Sequence, residues 1–150
     1  MKEKEESLEE RLKSLQKEAP TDPVEKEKLA KLYYSLAHAY GQLDKTEQEI
    51  ECYEKSLELD PKQPQALRFL GFVYRRKKEY DKAIELFNKI IKLNPDDYGI
   101  YYYLSSIYEK KGMEEEAEKY QKIYEEMKKK QAEADIKRLK EEIRKKENAK

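Results

Sequence analysis

The sequence predicts an all-α fold, an α-solenoid of three helical hairpins with an N-terminal capping helix and a long C-terminal helix. Two residue types recur every 34 positions, as Leu36, Leu70 and Leu104 and as Tyr40, Tyr74 and Tyr108. Pro61 and Pro95 share this spacing, and each follows an apolar periodic segment, as expected of a residue that stops a helix. Charged residues make up 44% of the chain and hydrophobic residues 37%, which favours a thin helical array over one large core.

The first predicted element is a capping helix over residues 1–19. Leu8, Leu12 and Leu15 form a narrow apolar stripe in a charged segment that ends at Pro20. Residues with this spacing share one face of a helix, and such a face suits packing against a neighbouring helix. We therefore expect this segment to cover the first hairpin.

The three hairpins are expected within residues 24–131, at about 30–63, 64–97 and 98–131. The middle unit contains, in order, Leu70-Gly71, Tyr74, Ala83, Phe87 and Pro95. This pattern resembles the tetratricopeptide repeat, a 34-residue unit whose signature has an aromatic residue, Leu-Gly, Tyr, Ala, an aromatic residue and Pro. The unit departs from that signature at Leu67, which replaces the first aromatic residue. The resemblance implies a right-handed solenoid that binds other proteins.

Gly71 interrupts the apolar run from Phe69 to Tyr74, which otherwise reads as buried helix. A glycine inside a helix costs about 1 kcal/mol relative to alanine. In the family that the chain resembles, the residues that correspond to Gly71 and Ala83 are small, so that the two helices of a repeat can approach closely. We expect this close packing to offset the lost helix propensity.

The first unit keeps most of the signature and departs at one position. It has Tyr33, Leu36-Ala37, Tyr40, Tyr53 and Pro61, but Glu49 stands where the family has a small alanine. The segment from Thr46 to Glu49 reads as a capping box, in which Thr46 accepts from a backbone N–H and Glu49 reaches back towards the start of the helix. The sequence therefore predicts that Glu49 serves the helix terminus.

The third unit drifts further from the signature towards its end. It keeps Leu104-Ser105, Tyr108, Gly112 and Ala117, but it has Gln121 and Lys129 in place of the second aromatic residue and the proline. We expect Tyr120 and Tyr124 to supply the missing packing. Because no Gly or Pro follows Gly112, the last helix is expected to continue for about 30 residues, into a charged extension over 132–150.

The charged extension carries one apolar stripe, formed by Ala132, Ile136, Leu139 and Ile143. Residues 128–150 hold ten basic and five acidic side chains, so the tail is locally basic. The stripe can pair between chains as a short coiled coil, giving a homo-oligomer, or dock back into the chain's own groove.

Several classes of function find little support in the sequence. The chain has one histidine, His38, and one cysteine, Cys52, so a His/Cys zinc site cannot be completed, and it has no Gly-rich phosphate loop. We therefore expect a protein that is not an enzyme and that uses no catalytic residues, cofactor or metal. Without a disulfide framework, a signal peptide or a membrane span, the cytoplasm is the expected location. Nucleic-acid contact is disfavoured because acidic residues interrupt the basic segments and the formal net charge is zero.

The resemblance also implies a binding surface, because in the family the first helix of each repeat lines a concave groove. The repeat positions that face this groove are occupied here by aromatic, basic and polar residues: Tyr34, His38, Arg68, Phe72, Arg75, Tyr102 and Ser106. Aromatic rings offer rigid contact area, and arginine pairs with carboxylates. The expected partner is therefore a peptide segment of another protein with acidic and apolar residues. The Lys/Asn/Arg clamp of chaperone adaptors is absent, since other residues occupy its places, namely Tyr34, His38, Phe69, Gly99 and Tyr103.

A second group of residues is expected to pack the repeats together. It comprises Leu36, Tyr40, Leu70, Gly71, Tyr74, Ala83, Phe87, Leu104, Tyr108 and Ala117. The groove residues have a competing interpretation, in which the rings also pack between helices and Arg75-Arg76-Lys77-Lys78 is a solvated turn. The leading hypothesis is a protein–protein interaction scaffold, and the alternative is a structural module that self-assembles through its C-terminal helix.

Overall fold

The computed structural model describes residues 2–15 and 20–149, except the side chains of 2–6, 14 and 15. The described residues form helices joined by short turns: α1 (Lys2–Leu15), α2 (Pro23–Gln42), α3 (Thr46–Leu59), α4 (Pro64–Arg76), α5 (Tyr80–Leu93), α6 (Tyr98–Lys110) and α7 (Glu114–Asn148). The chain divides into two compact units, Met1–Leu93 and Asn94–Lys150. The first unit holds α1 to α5 and the second holds α6 and α7. None of the described helices combines the length and the apolar content that a bilayer crossing requires.

Helix α1 lies within the segment predicted as a capping helix. Leu8 and Leu12 are buried, and the hydroxyl of Tyr40 on α2 donates a hydrogen bond to Glu9. The apolar stripe of α1 therefore packs within the first unit, as its spacing predicts. Residues 1 and 16–19 of the predicted segment lie outside the described residues, and so does the side chain of Leu15.

The turn inside each hairpin contains, at the same repeat position, a residue whose backbone is in the left-handed conformation. These residues are Asp44, Lys78 and Gly112, with φ of 55°, 62° and 72°, and they lie 34 positions apart. Positive φ is uncommon outside glycine, so its recurrence marks one turn geometry used three times. The backbone thus repeats the period that the leucines and tyrosines show in the sequence.

The close approach predicted between α4 and α5 is present. A Cβ atom built on Gly71 would lie 2.6 Å from Cε1 of Phe87, well inside van der Waals contact. Phe87 and Ala83 are both fully buried. Gly71 is therefore tolerated in mid-helix because the Phe87 ring occupies the space that a larger residue would need.

The predicted capping box at the start of α3 is wrong. The N-cap residue is Lys45, Thr46 already lies inside the helix, and no side chain caps this terminus. The Glu49 carboxylate is buried instead and accepts a hydrogen bond from the Arg76 guanidinium on α4 at 2.8 Å. A Cβ on Gly41 would lie 2.7 Å from Glu49 Oε1, so the glycine on α2 makes room for a glutamate where the family has alanine.

The second unit is a single hairpin with a long second helix. Ile100, Leu104 and Ile107 are fully buried, and the Ser105 hydroxyl donates to the Ala117 carbonyl at 2.9 Å. The rings of α6 also pack on tyrosines of α7, with Tyr108 stacked on Tyr120 at 5.4 Å and Tyr98 tilted on Tyr124 at 5.9 Å. Tyr120 and Tyr124 thus supply the packing that the sequence assigns to them. Helix α7 runs for 35 residues without interruption, a little longer than predicted.

Candidate peptide-binding face

Side chains of α2 and α4 form a continuous group of rings, here called the α2–α4 face, on Tyr34, His38, Phe69 and Phe72. Tyr34 and His38 are four residues apart and Phe69 and Phe72 three apart, so each pair lies on one side of its helix. The Phe69 ring is 6.1 Å from that of Tyr34, 6.0 Å from His38 and 6.1 Å from Phe72, between ring centroids. The face therefore links the first hairpin to the second.

Buried rings support this face from beneath. Tyr53 of α3 is 1% exposed, lies 5.9 Å from Tyr34 and stacks on Phe69 at 6.3 Å with an interplanar angle of 9°. Phe87 of α5 is fully buried and lies 5.7 Å from Phe72. Because the supporting rings are fixed in the core, Phe69 and Phe72 are held in place while remaining only half-buried.

Two arginines accompany the rings. Arg68 and Arg75 lie four residues before and three residues after Phe72 on α4, so all three share one side of the helix. The Arg75 guanidinium lies 5.6 Å from the Phe72 ring centroid, in a cation–π arrangement. Both arginines are half-buried. The rings of the face thus lie beside two positively charged side chains.

The structure brings together five of the seven predicted groove residues. Those five lie on α2 and α4 of the first unit, and they are Tyr34, His38, Arg68, Phe72 and Arg75. Tyr102 and Ser106 lie on α6 in the second unit, where Tyr102 is 49% exposed and contacts Tyr103 at 5.6 Å and Tyr124 at 5.4 Å. That Tyr102 and Ser106 extend the same surface stays a prediction.

Phe69 is the member of the face that the repeat positions did not select. Its ring contacts Tyr34, His38 and Phe72, and it therefore lies at the centre of the group. One signal in the sequence could have identified it, because Phe69 precedes Phe72 by one helical turn.

The third hairpin lacks a ring at the position that supports the α2–α4 face. Gln121 occupies the repeat position of Tyr53 and Phe87. An open cleft of about 520 Å³ lies there, with Ser105, Ala117 and Gln121 among its lining residues. The ring support found under α2 and α4 is therefore a property of the first unit.

The residues predicted to pack the repeats lie almost entirely in the interior. The buried ones are Leu36, Tyr40, Leu70, Gly71, Tyr74, Ala83, Phe87, Leu104 and Ala117, while Tyr108 is half-buried against Tyr120. The Tyr74 hydroxyl also donates to Glu54 at 2.7 Å, and burial raises the pKa of Tyr74. The residues of the α2–α4 face are a separate set, of which His38 is exposed and Tyr34, Phe69 and Phe72 are partly exposed.

The single cysteine of the chain is not activated as a nucleophile. Burial raises the pKa of the Cys52 thiol to about 12, whereas a nucleophilic cysteine has a lowered pKa. In the part of the chain that the structure describes, no group of three or more His, Cys, Asp or Glu side chains is arranged to hold a metal ion.

Comparison with known proteins identifies the repeats. Tetratricopeptide-repeat profiles match residues 30–63, 64–97 and 86–119, the last overlapping the second and third predicted units. No curated protein sequence matches the chain.

Crystal structures of MamA are similar in fold. One is 30% identical with a TM-score of 0.67, covering 74% of this chain and 69% of that one. A second is 30% identical with a TM-score of 0.65, covering 74% and 64%. A third, at 24% identity and a TM-score of 0.68, covers 83% and 62% and shows the fold alone. The chain thus spans about two thirds of the length of these structures.

These matches confirm the predicted fold class and the predicted resemblance. Three repeat profiles lie across residues 30–119, and the MamA structures share the all-α fold. Together they support a general role as a protein-interaction scaffold with protein partners. The chain belongs to the tetratricopeptide repeat family.

Proposed function

We propose that the α2–α4 face binds a peptide segment of a partner protein and performs no catalytic step. The main support is the state of Phe69 and Phe72, which stay partly exposed although buried rings fix them in position. A ring already held in place loses little conformational freedom when a ligand covers it, so more of the hydrophobic free energy remains available for binding.

The charge of the face indicates the partner's composition. Arg68 and Arg75 flank Phe72 on one side of α4, and arginine pairs with carboxylates through two parallel hydrogen bonds. A peptide with apolar residues for the rings and acidic residues for the arginines meets both requirements. The lone buried Cys52 is a free thiol, which suits the reducing cytoplasm, where we propose that this binding takes place.

The proposal is tested with the variant Arg68→Ala plus Phe72→Ala. The chain has no tryptophan, so the fluorescence of a tryptophan placed in a probe peptide reports on that peptide alone. The probes are short peptides that alternate Leu or Phe with Asp or Glu, and a matched set carries Lys in place of the acidic residues. Loss of a central aromatic or arginine contact costs more than about 1 kcal/mol, so the double variant should weaken binding by at least tenfold.

The matched control is Lys89→Ala plus Leu93→Ala, which removes one cation and one exposed apolar side chain from α5. This control should bind the acidic peptides as the parent chain does, and both variants should keep the parent's helicity. Equal binding of the acidic peptides by the parent chain and by the Arg68→Ala plus Phe72→Ala variant would contradict the proposal. Tighter binding of the Lys-containing peptides than of the acidic peptides would also contradict it. The same assay with Tyr102→Ala tests whether the groove extends to Tyr102 and Ser106.

Self-association through α7 is a second candidate function, favoured by one observation. Ile136, Leu139 and Ile143 are about half-exposed on one stripe of the helix. Light scattering of the chain with and without residues 132–150 tests it. A mass that falls to the monomer value on truncation supports self-association, and identical monomer masses would eliminate it.

A further inference from the structure

The second half of α7 carries an apolar stripe that the described residues leave uncovered. Ile136, Leu139 and Ile143 are 53%, 50% and 56% exposed. Their spacing of three and then four residues is that of the inner positions of a coiled-coil heptad, with Ile136 and Ile143 at position a and Leu139 at position d. Ala132 precedes them at another d position. This short seam is called the α7 stripe below.

We propose that a second copy of this chain covers the α7 stripe in a parallel, in-register coiled coil of two helices. The inference rests on the second proposed function, self-association, and specifies the geometry of the pairing. In parallel coiled coils, isoleucine at a with leucine at d favours an assembly of two helices. In this register each large residue of the stripe meets the same residue of the partner.

The charges beside the stripe favour the parallel orientation. In a parallel coiled coil, each g position faces the e position five residues further along the other helix. Lys128 then faces the partner's Glu133, and Asp135 faces the partner's Lys140. Among these g–e pairs, only Glu142, which faces the partner's Glu147, is repelled. Because the pairing is symmetric, the dimer gains four attractive g–e pairs against two repulsive ones. Lys129 and Lys146, at the flanking a and d positions, face lysines of the partner in the parallel and in the antiparallel arrangement, so they do not distinguish the two.

The antiparallel orientation is less well matched. Its best register places Ile136 against the partner's Leu139 but leaves Ile143 against the small side chain of the partner's Ala132. In this orientation e positions face e positions and g positions face g positions of the other helix. Glu133 therefore attracts the partner's Lys140, while Asp135 repels the partner's Glu142. Attractive and repulsive pairs therefore balance, and the apolar contact is poorer.

Helix α7 is already formed before any partner arrives. Its first half packs on α6 through Ala117, Tyr120 and Tyr124, and the helix continues without a break to Asn148. Helix nucleation, the costly step for a short isolated peptide, is thus complete in the single chain. Asp135 does contact Arg138 and Gln131 of its own helix at 3.3 Å, but exposed contacts of this kind contribute little. The short stripe predicts a weak, concentration-dependent dimer.

Charge reversal distinguishes the two orientations. We expect Asp135→Lys to weaken the dimer by roughly tenfold, because two attractive pairs become repulsive in the parallel arrangement. Lys140→Glu should do the same, and the double variant should restore the parent affinity by exchanging the charges. In an antiparallel dimer Asp135→Lys would instead strengthen association, since the introduced ammonium group would then face the partner's Glu142. Ala134→Lys, on the opposite face of α7, is the control and should change nothing.

Sedimentation equilibrium of the full chain measures these affinities. A dimer with the predicted charge responses supports the inference, and Leu139→Lys should abolish it. In a chain that carries Lys146→Cys and Cys52→Ala, oxidation should form a disulfide between the two copies of residue 146, because d positions face each other in the parallel pair. A dimer that Asp135→Lys strengthens, or that Lys146→Cys fails to cross-link, overturns the parallel geometry but leaves self-association standing. A chain still monomeric at about 0.5 mM, or a dimer unaffected by Leu139→Lys, overturns both.

Discussion

Replacement of Gly71 by alanine tests why a glycine interrupts α4. The new methyl group would lie 2.6 Å from Cε1, 3.0 Å from Cζ and 3.1 Å from Cδ1 of Phe87. Carbon atoms in contact are normally about 3.5–4.0 Å apart, so the ring or the helix must move by roughly 1 Å. The ring has little freedom to do so, because Phe87 is fully buried and packs on Phe72.

Two opposing effects set the expected magnitude. Alanine in mid-helix regains about 1 kcal/mol of helix propensity. Forcing extra volume into a packed core costs about 1–3 kcal/mol. We therefore expect Gly71→Ala to lower the free energy of unfolding by up to about 2 kcal/mol, with the steric cost exceeding the gain in propensity.

Urea denaturation followed by circular dichroism measures this free energy. Phe87→Leu provides the second arm, because a smaller side chain relieves the overlap, and in that background Gly71→Ala should cost nothing or stabilise. Gly99→Ala is the control, since its Cβ would meet only Asp97 Oδ1 at an ordinary 3.6 Å, and it should not destabilise the chain. A Gly71→Ala chain that is more stable than the parent while Phe87 is present would refute the packing explanation.

Two further predictions concern the buried polar and titratable groups. Gly41→Ala should lower the free energy of unfolding by about 1 kcal/mol when Glu49 is present, because the new methyl group overlaps its carboxylate, and by nothing in a Glu49→Ala chain. A double-mutant cycle measures this difference, and additive effects of the two substitutions would contradict it. Burial raises the pKa of Cys52 to about 12 and also raises those of Tyr53 and Tyr74, so the folded state keeps protons that the unfolded chain releases. The free energy of unfolding should therefore be flat from about pH 7 to 8.5 and fall as the pH rises above about 9, and urea titrations showing no such fall would exclude the effect.

The hairpins could be predicted from the sequence because their determinants repeat. The period of 34 residues in leucine and tyrosine reappears in the backbone as the left-handed residues Asp44, Lys78 and Gly112. The small residue at position 71 indicated a close helix approach, and the structure identifies the Phe87 ring as the group that approaches. Features of this kind depend on residues whose spacing along the chain is itself the signal.

Contacts between distant residues could not be predicted in the same way. Glu49 was assigned to the terminus of its own helix because Thr46 stands three residues before it, as in a capping box. Its partner in the structure is Arg76, which lies 27 residues away on α4, and the space for its carboxylate comes from Gly41 on α2. Periodicity shows which residues share a face of one helix, but it does not show what lies across from that face.

Packing and the proposed binding surface are linked in the first unit, because the rings of that surface rest on rings of the core. Tyr53 and Phe87 belong to the hairpin core, and Phe69 and Phe72 rest directly on them. The position of each partly exposed ring is therefore set by a residue that is itself buried in the core. Since Gly71 admits the Phe87 ring between α4 and α5, it also contributes indirectly to the placement of Phe72. The glycine that interrupts the apolar run is thus connected, through two rings, to the surface that we propose to bind the partner.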